Sequence, residues 1–474
     1  MLKRRDALLT GLFGTGYIGL RAMATGLPAW FLLNPRQATA QSLQCAITNQ
    51  TTLQYLLVSA NFNGDPINCN CPGTYATGGT SVASMAIHPT QEEMTAANVT
   101  LGGVSYGASL PWSDPSVVVG ASKGQLKTAT LARTSFFHHL TASTVHGDQP
   151  KVMKLMGKTS GNEMLVSAFA KHLAPCFGTV QPEPIAVGAG RNGAELISYS
   201  GRTLPSIAPT QLKQLLTGSK TDPLVKLRSV RDASLDKLNM LAKSDGTGAQ
   251  KAFLDAMALS QTQVRQLADQ LSTTLSSITA DDVKGQALAA AALFAANVTP
   301  VVTMRIAFGG DNHTDSNLQA EADQHVSGVA GIQTVMDSLA GLSINGTALS
   351  DKVTFATINV FGRNLNSIAK AEARAGRDHY GNHAVMVMIG KNIKPSVIGG
   401  LTTPSSGNAL QASDIDSATG NAKAGGDIPA AQTHVAAART LGVALGIPSS
   451  QINTDFISAA GGKVVNAALS GVSG

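Results

Sequence analysis

A chain of 474 residues and 48.6 kDa suits one large α/β domain or two medium ones, and its 43% apolar share excludes global disorder. Four cysteines without a Cys-x-x-Cys pair exclude a disulfide scaffold and argue against a structural zinc site. The formal charge of +6 resides mostly in Lys3, Arg4, Arg5, Arg21 and Arg36; the rest carries 30 basic and 28 acidic residues, too even a balance for a nucleic-acid partner.

Residues 1–40 read as an export signal. Lys3-Arg4-Arg5-Asp6 precedes a mild apolar run from Ala7 to Leu20, and Ala38-Thr39-Ala40 before Gln41 fits a cleavage site. The paired arginines resemble a twin-arginine signal, which hands folded proteins to the twin-arginine export machinery. A membrane anchor is the competing reading, but Arg21 would sit mid-span at a cost of about 2.5–3.5 kcal/mol. The expected location is therefore periplasmic or secreted, with membrane contact only during export and residues 41–474 as a single large domain. Export makes Cys45, Cys69, Cys71 and Cys176 candidates for one or two disulfides, although Cys69-Asn70-Cys71 is too tight for easy internal pairing. Cys71, before Pro72, is either a packed structural thiol or a reactive one.

Apolar runs of strand length occur at Leu53–Ala60, Pro300–Phe308, Val353–Val360 and Ala384–Ile389. Each is nearly continuous, as in strands buried on both faces of a parallel sheet. Gly/Ser/Thr-rich stretches at 73–84, 101–125 and 402–427 read as surface loops, the last either a lid or an irregular excursion. His138-His139 reads as a solvent-facing or helix-start pair. Val264, Leu267, Leu271, Leu275 and Ile278 line one helix face. Thr279 and Asp282 can cap an Ala-rich helix over 285–296, and Val326 to Leu342 is a further helix. Strand alternating with helix predicts an α/β fold whose central, mostly parallel sheet is sandwiched between helices.

Polar residues follow the strands. Asp65 comes after the first, Asp311 and His313 after the second, and Asp378 and His379 after the third. Ligands of open α/β sheets bind beyond the carboxyl ends of the strands, so these five residues are expected on one rim. Carboxylates with imidazoles suit a divalent metal such as zinc, manganese or iron, whereas oxygen-only sites suit calcium. Asp311 and His313, two apart, point the same way in an extended segment.

These residues carry a resemblance. Val360-Phe361-Gly362-Arg363, Gly376-Arg377-Asp378-His379 and the Gly-Gly-Asp-Asn-His block at 309–313 resemble an exported bacterial family, domain-of-unknown-function family number 1501. That family is grouped with the alkaline phosphatase and sulfatase-like superfamily, and the likeness runs from about Leu53 to Leu445, including the helix at Thr433-His434. The resemblance implies a metal-dependent hydrolase of phosphate or sulfate esters. It implies that Asp311 and His313 hold one metal and that Asp65, Asp378 and His379 hold another. His434 is a further candidate ligand or a packed helix residue. Arg363 and Arg377 would clamp the anionic ester or form a structural ion pair.

The chain departs from that pattern. Val360 stands where the family often has Glu, and no sulfatase-type Cys-x-Pro-x-Arg occurs. The place expected for the nucleophile holds Gly147, beside His146. His146 is thus a candidate general base, metal ligand or nucleophile, or a packed residue. Two expectations follow: a metal-dependent ester hydrolase, or a catalytically silent exported protein that uses the same fold for binding or surface assembly.

Overall fold

The computed structural model of the protein describes residues 45–474 except 48, 76–87, 89, 180, 189–196, 205, most of 218–270, 272, 316, 345, 366–375 and 403–409. The expected export signal and the first part of the helix expected from Val264 lie outside these residues, although Leu271, Leu275 and Ile278 are described and buried. No helix among the described residues is long and apolar enough to cross a membrane.

Eight strands form the central sheet: β1 (Tyr55–Asn61), β2 (Thr134–His139), β3 (Ile185–Val187), β4 (Ser206–Ile207), β5 (Val301–Met304), β6 (Val353–Asn359), β7 (Ala384–Ile389) and β8 (Ser396–Ile398). Their order is β4-β3-β5-β1-β6-β7-β2-β8. Leu56 of β1 pairs with Val301 on one side and Thr354 on the other, both in parallel register. The four long apolar runs thus all become strands. Ala384–Ile389, expected to run parallel, is instead antiparallel to both β6 and β2, so the sheet is mixed. The reason is local. After β6 the chain turns back through the pairing of Gly362–Arg363 with His379–Tyr380, and β7 re-enters the sheet from the rim where β6 leaves it.

Alternation along the strands divides the core into two layers. Leu56, Val58, Ala60, Ile358, Met386 and Met388 pack with helices α1 (Leu165–Phe177) and α4 (Thr433–Ala444). Leu57, Val302, Phe355 and Val387 pack with α2 (Val283–Ala295) and α3 (Gln319–Ala340). Asp282 caps α2, its carboxylate accepting the Gly285 N–H at 2.7 Å. Helix α3 starts seven residues ahead of Val326, because the Asp315 carboxylate accepts the amides of Ala320 and Glu321 and satisfies its first turn.

Two of the three loop expectations change. Residues 101–125 contain a strand, Val104–Ser109, paired with Ala96–Leu101, and a short hairpin joining Val118–Val119 to Ser122–Lys123. Most of 73–84 lies outside the described residues. The described part of 402–427 is pinned from within: Asp414 accepts the amides of Gly425 and Ala430, Asp416 those of Ala418 and Thr419, and Ile415 is fully buried. His138 and His139 end β2 and are buried, rather than facing solvent or starting a helix.

One disulfide joins Cys45 to Cys176, 131 residues apart. Closing so long a loop restricts the unfolded chain by about 4–5 kcal/mol on the chain-entropy model. Unfolding in urea with and without a reductant is expected to show a loss of that order; equal midpoints would remove the assignment of stability to this bridge. Cys69 and Cys71 are free and buried. Burial pushes the Cys69 thiol up to about 12 and Cys71 higher still, so neither is a reactive thiolate.

Candidate metal centre

The carboxyl ends of β5, β1, β6 and β2 share one rim, and β7, running the other way, starts there. Asp311 and His313 follow β5, Phe62 follows β1, Arg363 follows β6, Thr144 and His146 follow β2, and His379 precedes β7. Segments more than 230 residues apart in the chain are thereby brought to one place, as when the His379 ring meets Thr144.

Asp311 is the centre of the group. Its Oδ1 lies 3.0 Å from His313 Nε2, 3.1 Å from His379 Nε2 and 3.2 Å from Arg363 Nη2, and its Oδ2 lies 3.3 Å from His146 Nε2. His313 Nε2 and His379 Nε2 are 2.8 Å apart. The ligand atoms of His146, Asp311 and His379 all lie within 4.8 Å of one another, the only such group of three or more among the described residues. Donors about 2.1 Å from a tetrahedral cation are about 3.4 Å from each other, close to these separations.

The tautomers sharpen the geometry. His146 Nδ1 is 2.8 Å from the Phe62 carbonyl oxygen, and His379 Nδ1 is 2.7 Å from that of Thr144. A carbonyl only accepts, so each Nδ1 carries a proton and each ring turns its Nε2 toward Asp311. A ring nitrogen this close to a carboxylate needs a proton or a cation between them. A backbone carbonyl on the far nitrogen is the arrangement that orients a ligating histidine. The two imidazoles and one carboxylate of this group, with His313 beside Asp311, therefore offer a donor set that fits a divalent cation.

Aromatic packing holds the rings. Phe361 stacks on His379 with centroids 4.2 Å apart and lies 5.2 Å from His146. Gly64, at φ +69°, leaves the space that Phe361 occupies; a side chain at Gly64 would collide with that ring. Ala142 adopts φ 57°, and the amides of Thr141 and Ala142 both bond the Gly381 carbonyl oxygen, which fixes the approach to Thr144 and His146.

Asp311 keeps its charge. Its partial burial works toward a raised pKa, but the His379 hydrogen bond and the charges of Arg363 and His313 prevail and hold it at about 2. The His313 pKa is lowered, chiefly by burial, with His379 and Arg363 adding to the effect.

The expected ligands thus divide. Asp311, His313 and His379 come together, and His146 joins them as a ring nitrogen facing Asp311. Asp378 is at the edge, its Oδ1 3.5 Å from His313 Nδ1. Asp65 stands outside the group. It is buried, its Oδ1 accepts the Ile67 amide at 3.1 Å, and desolvation raises its carboxyl to about 7 against the pull of that amide and of Arg363. His434 is also outside the group, buried on α4 and stacked on His139 at 4.8 Å.

Both arginines are committed to structure. Arg363 is 0% exposed; its Nη2 donates to the Asn63 and Gly310 carbonyls and to Asp311. Arg377 is buried against Glu321, Nε to Oε2 at 2.8 Å, and donates to the Asn364 carbonyl. Of the two expected roles, the structural ion pair is the one the geometry displays, because neither guanidinium is open to an ester. Gly147 lies in a short turn with open space around it, and the nearby Ser143 hydroxyl is bonded to Asp148 at 2.8 Å.

Sequence reasoning passed over Glu321, Asn68 and His383, which support the rim from below. Asn68 donates to the Arg363 carbonyl at 2.8 Å and accepts the Arg363 amide at 2.8 Å. It also donates to His383 Nδ1, so His383 Nε2–H donates to His138 Nδ1 at 2.9 Å. His383, directly before the apolar β7, was the one signal available; Asn68 and Glu321 lie outside the strands.

Compared with family models, curated proteins and solved structures, the chain matches none.

Proposed function

We propose that this chain is an exported metal-dependent hydrolase of the alkaline phosphatase and sulfatase-like type, acting on phosphate or sulfate esters. One observation carries the reading: two imidazoles, each with Nδ1 pinned to a backbone carbonyl, aim Nε2 at the half-exposed Asp311 carboxylate. The sheet rim and the residues that resemble the family's motifs support it. Zinc, manganese or iron suits imidazoles joined by a carboxylate; calcium, which takes oxygen ligands, does not suit them. The grouping around Asp311 favours one cation over the two that the resemblance implies.

When bound, such a cation supplies Lewis acidity toward an ester oxygen and acidifies water. The chain's own residues do the rest. Asp311 contributes the negative charge and Arg363 fixes its carboxylate. Phe361 and the two carbonyls set the ring planes. Asp311, with its side chain 45% exposed, leaves an open face for a small anionic ester. With Ser143 bonded to Asp148 and Gly147 in the place expected for a nucleophile, direct attack by water is the reaction this geometry favours over a covalent intermediate. A second reading, binding without catalysis, draws support from the two buried arginines, which leave the ester without a guanidinium clamp.

Elemental analysis of the chain from Gln41, purified without chelator, tests the proposal. About one equivalent of zinc, manganese or iron is expected, lost in Asp311→Ala, with turnover of phosphate or sulfate monoesters lost alongside. A folded protein that takes up none of these metals would sink the metal reading. Metal without turnover of any ester would leave the binding reading.

A further inference from the structure

We infer that Glu321 is a positioning residue for this centre: its buried carboxylate clamps together the two turns that carry His313 and His379. The inference rests on the metal reading above for its consequence and on the contacts alone for its geometry. Glu321 sits in the first turn of α3 and is 0% exposed. Its Oε1 accepts from Asn70 Nδ2, His88 Nε2 and Arg377 Nε, each at 3.1 Å. Its Oε2 accepts from Arg377 Nε at 2.8 Å and from Asn312 Nδ2.

Two of these donors are neighbours of the ligands. Asn312 lies between Asp311 and His313, and Arg377 lies two residues before His379. The turns are also laced directly, Gly376 N–H to the His313 carbonyl at 3.0 Å and Arg377 N–H to the Asn312 carbonyl at 3.3 Å. This lacing needs Gly376, where a side chain would run into the Asn312 carbonyl. The web then reaches Asp311, because Arg363 Nη1 donates to the Arg377 carbonyl while its Nη2 holds Asp311. A carboxylate that no ligand touches thus sets the distance between two ligands from separate strands.

A buried carboxylate with five contacts could equally serve stability alone, and the two roles separate experimentally. Glu321→Gln keeps the shape and removes the charge that pairs with Arg377. Zinc affinity is read by competition with a chromophoric chelator. The tautomer of His379 is read from imidazole nitrogen shifts in the metal-free protein, with His172, which is bonded to Asp455 elsewhere, as control. The variant is expected to bind zinc about 10–100-fold more weakly, as when outer partners of metal ligands are lost. His379 is expected to lose its single Nδ1–H form while His172 keeps its own.

Parental affinity and an unchanged His379 tautomer in a folded variant would overturn the inference, whatever the melting temperature. If the parent itself takes up no zinc, the metal reading fails and the tautomer alone decides on Glu321. If Glu321→Gln does not fold, Asn312→Ala, which removes one donor and leaves the ion pair, carries the same two comparisons. A smaller shift in the same direction is expected from it, and no shift overturns the inference.

Discussion

Acid is expected to unfold this protein from about pH 6.5 downward, well above the range in which carboxylates titrate. The cause is a set of buried neutral histidines. Burial holds His138 and His139 at about 4 and His325 at about 3, and it pushes His383 and His434 well below the usual imidazole value. Repulsion between neighbouring groups once protonated adds to this: His138 acts on His139 and His383, and His139, with Lys158, acts on His434. A folded-state pKa below the unfolded value of about 6.5 means that the unfolded chain binds protons first as pH falls. Stability is therefore complete above about pH 6.5 and drains away toward pH 4. Each group shifted by two units or more contributes a loss of the order of a few kcal/mol at the acid limit.

The hydrogen bonds show where the damage falls. Trp112 Nε1–H donates to His325 Nε2 at 2.9 Å, and a protonated ring there would face a donor. His383 Nδ1 accepts from Asn68, the residue that secures Arg363, so protonation in this relay loosens the rim as well as the core. Urea midpoints measured from about pH 8 to pH 4 are expected to fall steadily below about pH 6.5. A midpoint that stays level down to about pH 5 would show that these rings are not held neutral.

The second large effect belongs to Arg377. Arg377→Met is expected to cost about 3–5 kcal/mol, because it strands the Glu321 carboxylate at 0% exposure with only neutral amides and His88 around it. Pairing it with Glu321→Leu is expected to return part of that loss, since a buried ion pair exchanged for apolar residues is often close to neutral. Urea unfolding of the two variants and the parent measures both quantities. A loss under about 1 kcal/mol in Arg377→Met would mean that water reaches Glu321.

The sheet was legible where the physics is local. Runs such as Val353–Asn359, mostly apolar and buried on both faces, permit little besides a central strand. The direction of Ala384–Ile389 was not, because a strand buried on both faces reads the same either way, and only the turn pairing Arg363 with His379 decides it. At the site, the Asp/His couplets announced themselves by following strands. Glu321 did not: a glutamate in the first turn of a helix is ordinary at a surface, and only the tertiary fold brings Asn70, His88, Asn312 and Arg377 onto it. The two roles open to the arginines were inseparable for a related reason. Charge allowed an anion clamp as well as a structural ion pair, while burial, which spacing does not reveal, set Arg363 against Asp311 and Arg377 against Glu321.

The contrast between the half-open Asp311 and the sealed Arg363 beneath it has a kinetic consequence. On the metal reading proposed above, a cation bound at this open edge would leave and return without the fold opening. A chelator would then remove it while the sheet stays intact, and the occupant would follow whichever of zinc, manganese and iron prevails in the surrounding medium. Exchange of that kind ties the protein's working state to its environment rather than to its synthesis.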